Sequence, residues 1–290
     1  MADWLHGYAE GPILVAVALL TQLGDVWLLF LLGGVAYVAA DEVPRLGLDR
    51  RRGLFLFAIV LTYVALIGVL KGLFDLPRPP GAGEAPAFSW LPPLLEGALA
   101  GAATADGHGF PSGHALGTTM GWGGLALLLD DESVRTRVGL AAGVIALVSL
   151  SRLALGVHYL VDVVAGAAVG LVVLTGLYLL ADRGTAPARV LAVAVAVGVL
   201  GLLVGVTFDS VAALGTAVGA WLAWRGVAAR TPAQPTGRRE VVAGLAVLAL
   251  AGGLFGAVYA LEPAHPVTFL GAGLTGAGVV GAPLVGSRLA

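Results

Sequence analysis

From about residue 22 to the C-terminus the chain repeats one pattern, an apolar stretch near twenty residues long followed by a break of charged residues, proline or glycine. About 20 apolar residues is the length a helix needs to cross the hydrocarbon of a bilayer. Reading runs between breaks predicts nine helical spans, near 22–40, 54–73, 113–129, 138–156, 159–181, 188–206, 209–226, 240–260 and 266–286. Residues 12–20 are apolar but short. They suit an interfacial or re-entrant helix, preceded by Trp4 and Tyr8, whose amphipathic rings favour the headgroup level; the alternative of a tenth short span stays open. The fold class expected is all-α, a polytopic membrane bundle.

Composition supports that class. The 290 residues are 58% hydrophobic and 12% charged, with mean hydropathy +0.94, whereas a soluble domain is nearer a quarter charged. A net charge of −2 gives no reason to expect nucleic acid as a partner. Cysteine is absent, which excludes disulfides and thiolate metal sites. The first ten residues lack a basic region and do not read as a cleaved signal peptide.

The basic residues assign sides. Of 16 Lys and Arg, thirteen fall in one alternating set of connections: Arg45, Arg50, Arg51, Arg52, Arg135, Arg137, Arg183, Arg189, Arg225, Arg230, Arg238, Arg239 and Arg288. The positive-inside rule makes that side cytoplasmic. Lys71 (the only lysine), Arg78 and Arg152 lie on the other side. Cations placed against the topological bias are candidates for function. The longest break, about 74–112, is also on that outer side, and its prolines (Pro77, Pro79, Pro80, Pro86, Pro92, Pro93) make it a loop or broken helix.

Three clusters meet there. Lys71 to Arg78-Pro79 ends the second span, Pro111-Ser112-Gly113-His114 opens the third, and Ser151-Arg152 to His158 and Asp162 crosses the turn between the fourth and fifth. Lys71, Arg78 and Arg152 would supply three charges for an anion, with arginine able to hold two phosphate oxygens at once. Ser112 and Gly113 precede a helix, whose N-terminal N–H groups would face the same anion. His158 and Asp162, spaced i, i+4, share a helix face, so the carboxylate can accept one ring N–H and leave the other nitrogen as nucleophile. An aspartate inside an apolar run costs roughly 2.5–3.5 kcal/mol on insertion scales and is a functional candidate. His114 offers a second imidazole to protonate a departing alkoxide. His6, His108 and His265 have no such partners and read as structural or exposed, and Asp75 and Asp106 as solvated loop carboxylates. No cluster looks like a metal site.

The three clusters resemble the KxxxxxxRP, PSGH and SRxxxxxHxxxD motifs of the type 2 phosphatidic acid phosphatase (PAP2) family, related to vanadium haloperoxidases and bacterial acid phosphatases. All eleven defining positions are present, in order and at the internal spacings. The match covers 71–162 and, loosely, the helices from about 22 to 181. The resemblance implies a PAP2-like catalytic core over 1–182 and an accessory bundle of about four helices over 183–290. The family core usually has six spans, against the five counted here plus residues 1–20, so the first family helix is the element in question.

The resemblance further implies that His158 attacks phosphorus to give a phosphohistidine, that Asp162 orients it and that His114 serves the leaving oxygen. Lys71, Arg78, Ser112, Gly113 and Arg152 would hold the phosphoryl oxygens, with no metal or cofactor. The implied partners are a lipid phosphate or polyprenyl diphosphate substrate and the surrounding membrane lipids, at a multi-pass site on the extracytoplasmic face of the cell membrane; some relatives take a water-soluble sugar phosphate. A phosphotransferase using the same residues is an alternative, and an anion transporter a more distant one. Small-xxx-small pairs, Gly139/Gly143, Gly166/Gly170 and Gly252/Gly256, suggest close helix packing.

Overall fold

A computed structural model describes residues 11–39, 47–85, 92–130 and 133–289; Trp4, Tyr8, His6, Arg45 and Pro86 lie outside them. Among the described residues there are eleven α-helices: α1 (Gly11–Thr21), α2 (Val26–Ala39), α3 (Arg50–Phe74), α4 (Pro93–Ala103), α5 (Gly113–Leu128), α6 (Val134–Ala154), α7 (Leu160–Leu180), α8 (Pro187–Val204), α9 (Phe208–Val227), α10 (Arg238–Leu261) and α11 (His265–Leu289).

All nine expected spans are helical, but six helices are long and apolar enough to cross a membrane: α3, α6, α7, α8, α10 and α11. The exceptions have physical reasons. α5 has only 16 residues. α9 carries Asp209, Arg225 and two tryptophans among its 20 residues. α2 has 14 residues and makes a span only together with α1, across a 46° bend at a 3-10 turn, Gln22–Gly24. The short apolar segment 12–20 thus pairs with α2 across the bend, and by length and composition the pair fits either a broken span or the re-entrant element expected from the sequence. The outward faces of the long helices expose Leu140, Val172, Leu203, Leu250 and Leu261, an apolar belt that lipid rather than water accommodates.

The centre is α3. It is apolar on every side and buried through most of its length, as a helix enclosed by others should be. Asp49 starts it, accepting the N–H of Arg52 at 2.8 Å, and Asp75 ends it in the left-handed region at φ 48°. α2, α5, α8 and α9 pack around α3, α7 packs on α5, and α11 packs on both α9 and α10. One continuous apolar core joins the two parts of the chain: Phe55, Ile59 and Met120 share it with Leu191, Ala217, Trp224 and Val280.

Glycines set the closest crossings, though not all those expected. Gly166 and Gly170 press α7 on α5, where an added Cβ would stand 2.5 Å from the Ser112 carbonyl oxygen and 2.9 Å from that of Leu116. Gly139, Gly143, Gly252 and Gly256 have nothing within 4 Å of that position, so those two pairs do not mediate packing. Gly219 and Gly276 take that role in the C-terminal helices, at the α9–α11 crossing.

Candidate active site

The turn Leu155–Tyr159 between α6 and α7 carries His158, and the first turn of α7 carries Asp162. Both side chains are buried, at 2% and 3% exposure. Asp162 Oδ2 accepts the Tyr159 N–H at 2.8 Å, which caps α7 and holds the carboxylate still, and lies 3.3 Å from His158 Nδ1. On the other edge of the ring, Arg78 Nη1 lies 3.2 Å from His158 Nε2. A guanidinium has only donors, so Nε2 must present its lone pair and Nδ1 must carry the proton toward Asp162. Contacts on both edges thus select one tautomer, with Nε2 facing the cations.

Arg78 reaches the ring from the loop after α3. Its Nε donates to the Asp106 carbonyl at 2.9 Å and its Nη1 to the Val157 carbonyl at 3.0 Å. Gly109 permits this path: its N–H bonds the Leu76 carbonyl at 2.8 Å, and a Cβ there would stand 2.8 Å from the Pro77 carbonyl oxygen. Arg152, on the last turn of α6, is 2% exposed and donates from Nη1 to Thr21 Oγ1 at 3.0 Å and to the Ala102 carbonyl at 3.2 Å. Lys71 is half-buried on the last turn of α3.

The three cations converge electrostatically. Burial is the largest influence on His158 and lowers its pKa to about 4. The Asp162 hydrogen bond opposes that shift, and Arg78, Arg152 and Lys71 add to it. The ring is therefore neutral near pH 7, with its one lone pair directed at Arg78. Burial likewise lowers Arg78 from its usual value, leaving it charged at neutral pH.

Ser112 is fully buried and caps α5, its Oγ accepting the Ala115 N–H at 3.4 Å. One expectation is corrected here. The Ser112 N–H does not face an anion, because it donates to the Asp162 carbonyl at 2.9 Å and so ties the start of α5 to α7. The N–H groups of Gly113 and His114 have no hydrogen bond among the described residues, and they form the donor end of the helix. His114 lies one residue further on, its side chain 24% exposed, with Nε2 4.0 Å from Asp25 Oδ2.

His108 is also corrected. It has a carboxylate partner, with Nδ1 2.6 Å from Asp75 Oδ1, in an exposed pair. His265 opens α11 and lines an open recess with Phe208 and Glu262. Among the described residues no three or more His, Asp or Glu side chains cluster as a metal would require.

Thr21 and Asp25 were not read as site residues. The usable signal was the one that singled out Asp162, a carboxylate inside an apolar run; Asp25 interrupts 11–39 in the same way.

A family model described as the PAP2 superfamily matches residues 52–186. Neither a curated protein nor a solved structure matches the chain.

Proposed function

We propose, from the match of residues 52–186 to the PAP2 superfamily, that the protein is a membrane phosphatase that hydrolyses a lipid-linked phosphomonoester or diphosphate through a phosphohistidine on His158. The observation that carries this reading is the fixed tautomer of His158, with the unprotonated Nε2 turned toward Arg78 and a proton on Nδ1 toward Asp162.

The geometry supports the following reaction. The Nε2 lone pair attacks phosphorus, the bond to the leaving oxygen breaks, and His114 donates a proton to that oxygen as it departs. Asp162 offsets the positive charge that the ring acquires. Lys71, Arg78, Arg152 and the N–H groups of Gly113 and His114 hold the phosphoryl oxygens and their developing charge. Water then attacks phosphorus and gives a proton to His114, and the P–N bond breaks with its electron pair returning to Nε2. Inorganic phosphate leaves and the starting enzyme is restored.

Depth favours a lipid substrate. His114 stands at the start of α5, whose 16 residues rise only about 24 Å at 1.5 Å per residue, short of the roughly 30 Å of hydrocarbon. A phosphate there would sit just below the outer boundary, where a headgroup reaches more readily than a free solute. The distribution of basic residues favours an extracytoplasmic site, and in this reading 183–290 are an accessory bundle supporting α3.

The test is phosphate release by the purified protein from phosphatidate-like lipids, polyprenyl diphosphates and sugar phosphates, with and without an acceptor alcohol. Release from the lipids, its loss in His158→Ala and no transfer to the alcohol are expected. A His158→Ala protein that still turns over would remove the mechanism.

A further inference from the structure

The bend between α1 and α2 brings a carboxylate to the second imidazole. Resting on the reading above, we propose that Asp25 is the positioning residue for His114, supplying the negative charge that lets this imidazole hold the proton it gives to the leaving oxygen.

Three observations place Asp25 there. The first is the rigidity of its turn. The Asp25 N–H bonds the Gln22 carbonyl at 3.0 Å, and Trp122 on α5 donates from Nε1 to the Leu23 carbonyl at 2.8 Å. Gly24 is wedged between α5 and α6, where a Cβ would stand 2.3 Å from Thr118 Oγ1 and 2.7 Å from Val148 Cγ1. The second is direction. Asp25 Oδ1 faces the Trp27 N–H at 3.3 Å, capping α2, while Oδ2 lies 4.0 Å from His114 Nε2. That is an ion-pair distance rather than a hydrogen bond, and it leaves the imidazole free to turn its proton toward a substrate.

The third is the setting of His114. Burial acts on it first, and after burial Arg152 from α6, His158 from the α6–α7 turn, Lys71 from α3 and Arg78 from the loop; the Tyr63 hydroxyl from α3 lies beside Gly113. Asp162 on α7 is engaged by His158 and by the Tyr159 N–H. Each nearby cation disfavours a second positive charge, whereas an opposite charge within about 4–6 Å favours it. Asp25 supplies that opposite charge. The same bend contributes Thr21, four residues earlier, to the Arg152 guanidinium.

The deciding variant is Asp25→Asn, which keeps the cap on Trp27 and removes the charge. Leaving-group protonation matters most for a poor leaving group. Turnover of an alkyl phosphate is therefore expected to fall about 10- to 100-fold, part of the roughly 10²–10⁴-fold that general acid catalysis supplies. Turnover of p-nitrophenyl phosphate, whose leaving group needs little help, should fall much less. The alkaline limb of kcat/KM for the alkyl ester should move to lower pH, because His114 loses its proton more easily. Equal losses on both esters with an unmoved limb would overturn the proposal.

Failure of the phosphatase reading shows separately, as His158→Ala turning over like wild type. In that case ¹⁵N-histidine NMR of the solubilised protein, with His114 assigned from His114→Gln, still decides on Asp25. A His114 titration shifted to lower pH in Asp25→Asn supports the proposal, and an unchanged one overturns it.

Discussion

At the scale of single residues, one ring is held from two sides. Asp162 Oδ2 serves both the Tyr159 N–H and His158 Nδ1, so the helix cap and the orientation of the imidazole depend on the same atom. Asp162→Asn can keep a cap but presents the wrong hydrogen-bonding group to the ring. A loss of about 10⁴-fold in turnover is expected, by analogy with triads whose orienting carboxylate is replaced, with the fold retained by circular dichroism. The pH profile offers a second check. The nucleophile must be unprotonated, and burial lowers His158 to about 4. Its activity is therefore expected to persist as pH falls through the ordinary histidine range and to fail only near pH 4. An acid limb of kcat/KM near 6.5, after allowance for the substrate's own ionisation, would contradict the buried, cation-flanked setting. The charged and hydroxyl-bearing motif positions stand out along the chain because they are polar residues at fixed spacing, most of them beside apolar runs. The occupied N–H of Ser112 does not, since its acceptor, the Asp162 carbonyl, lies fifty positions away.

At the scale of elements, the α5–α7 crossing positions the chemistry. α5 begins at the site with Gly113 and His114, α7 brings Asp162, and Gly166 lets the two backbones meet. Gly166→Leu would drive its side chain into the Ser112 carbonyl, 2.5 Å from where the new Cβ must stand. Overpacking of this kind costs about 1–3 kcal/mol, and here it also separates the N-terminus of α5 from Asp162. Lower thermal stability and a large loss of phosphate release are expected together. Gly143→Ala, in open space on α6, is the control and should leave both near wild type. Glycine frequency alone could not separate these cases, because the expected pairs at 139/143, 166/170 and 252/256 look alike along the chain. The bend between α1 and α2 was equally hidden. Gln22 and Asp25 read as the ragged edge of an apolar run until Trp122 and Gly24 are seen anchoring them to α5 and α6.

At the scale of the whole molecule, the C-terminal helices are joined to the core at the end opposite the site. Arg50, 1% exposed at the start of α3, donates from Nη2 to Glu240 Oε1 at 2.5 Å and from its backbone N–H to the Ala233 carbonyl at 3.0 Å. Glu240 Oε2 accepts the N–H and hydroxyl of Thr236 at 2.8 and 2.7 Å. Tyr37 on α2 adds a bond to the Val280 carbonyl on α11 at 2.8 Å. Breaking a buried pair leaves the remaining charge uncompensated, typically at about 3–5 kcal/mol. Glu240→Leu should therefore lower the melting temperature clearly, and Arg50→Leu/Glu240→Leu should recover much of the loss. If the single variant melts like wild type, the C-terminal helices are held by their apolar contacts and the ion pair contributes little.

The all-α membrane class could be read along the chain, because the length and apolarity of a span are local properties. Which helices touch could not. Both lipid and protein interior are apolar, so hydrophobicity does not distinguish a face that packs from one that meets the bilayer. That choice depends on shape: Gly24 between α5 and α6, Gly166 on Ser112, Gly219 against α11. Through those contacts Thr21 and Asp25 come to stand beside Arg152 and His114, far from them in sequence and next to them in space.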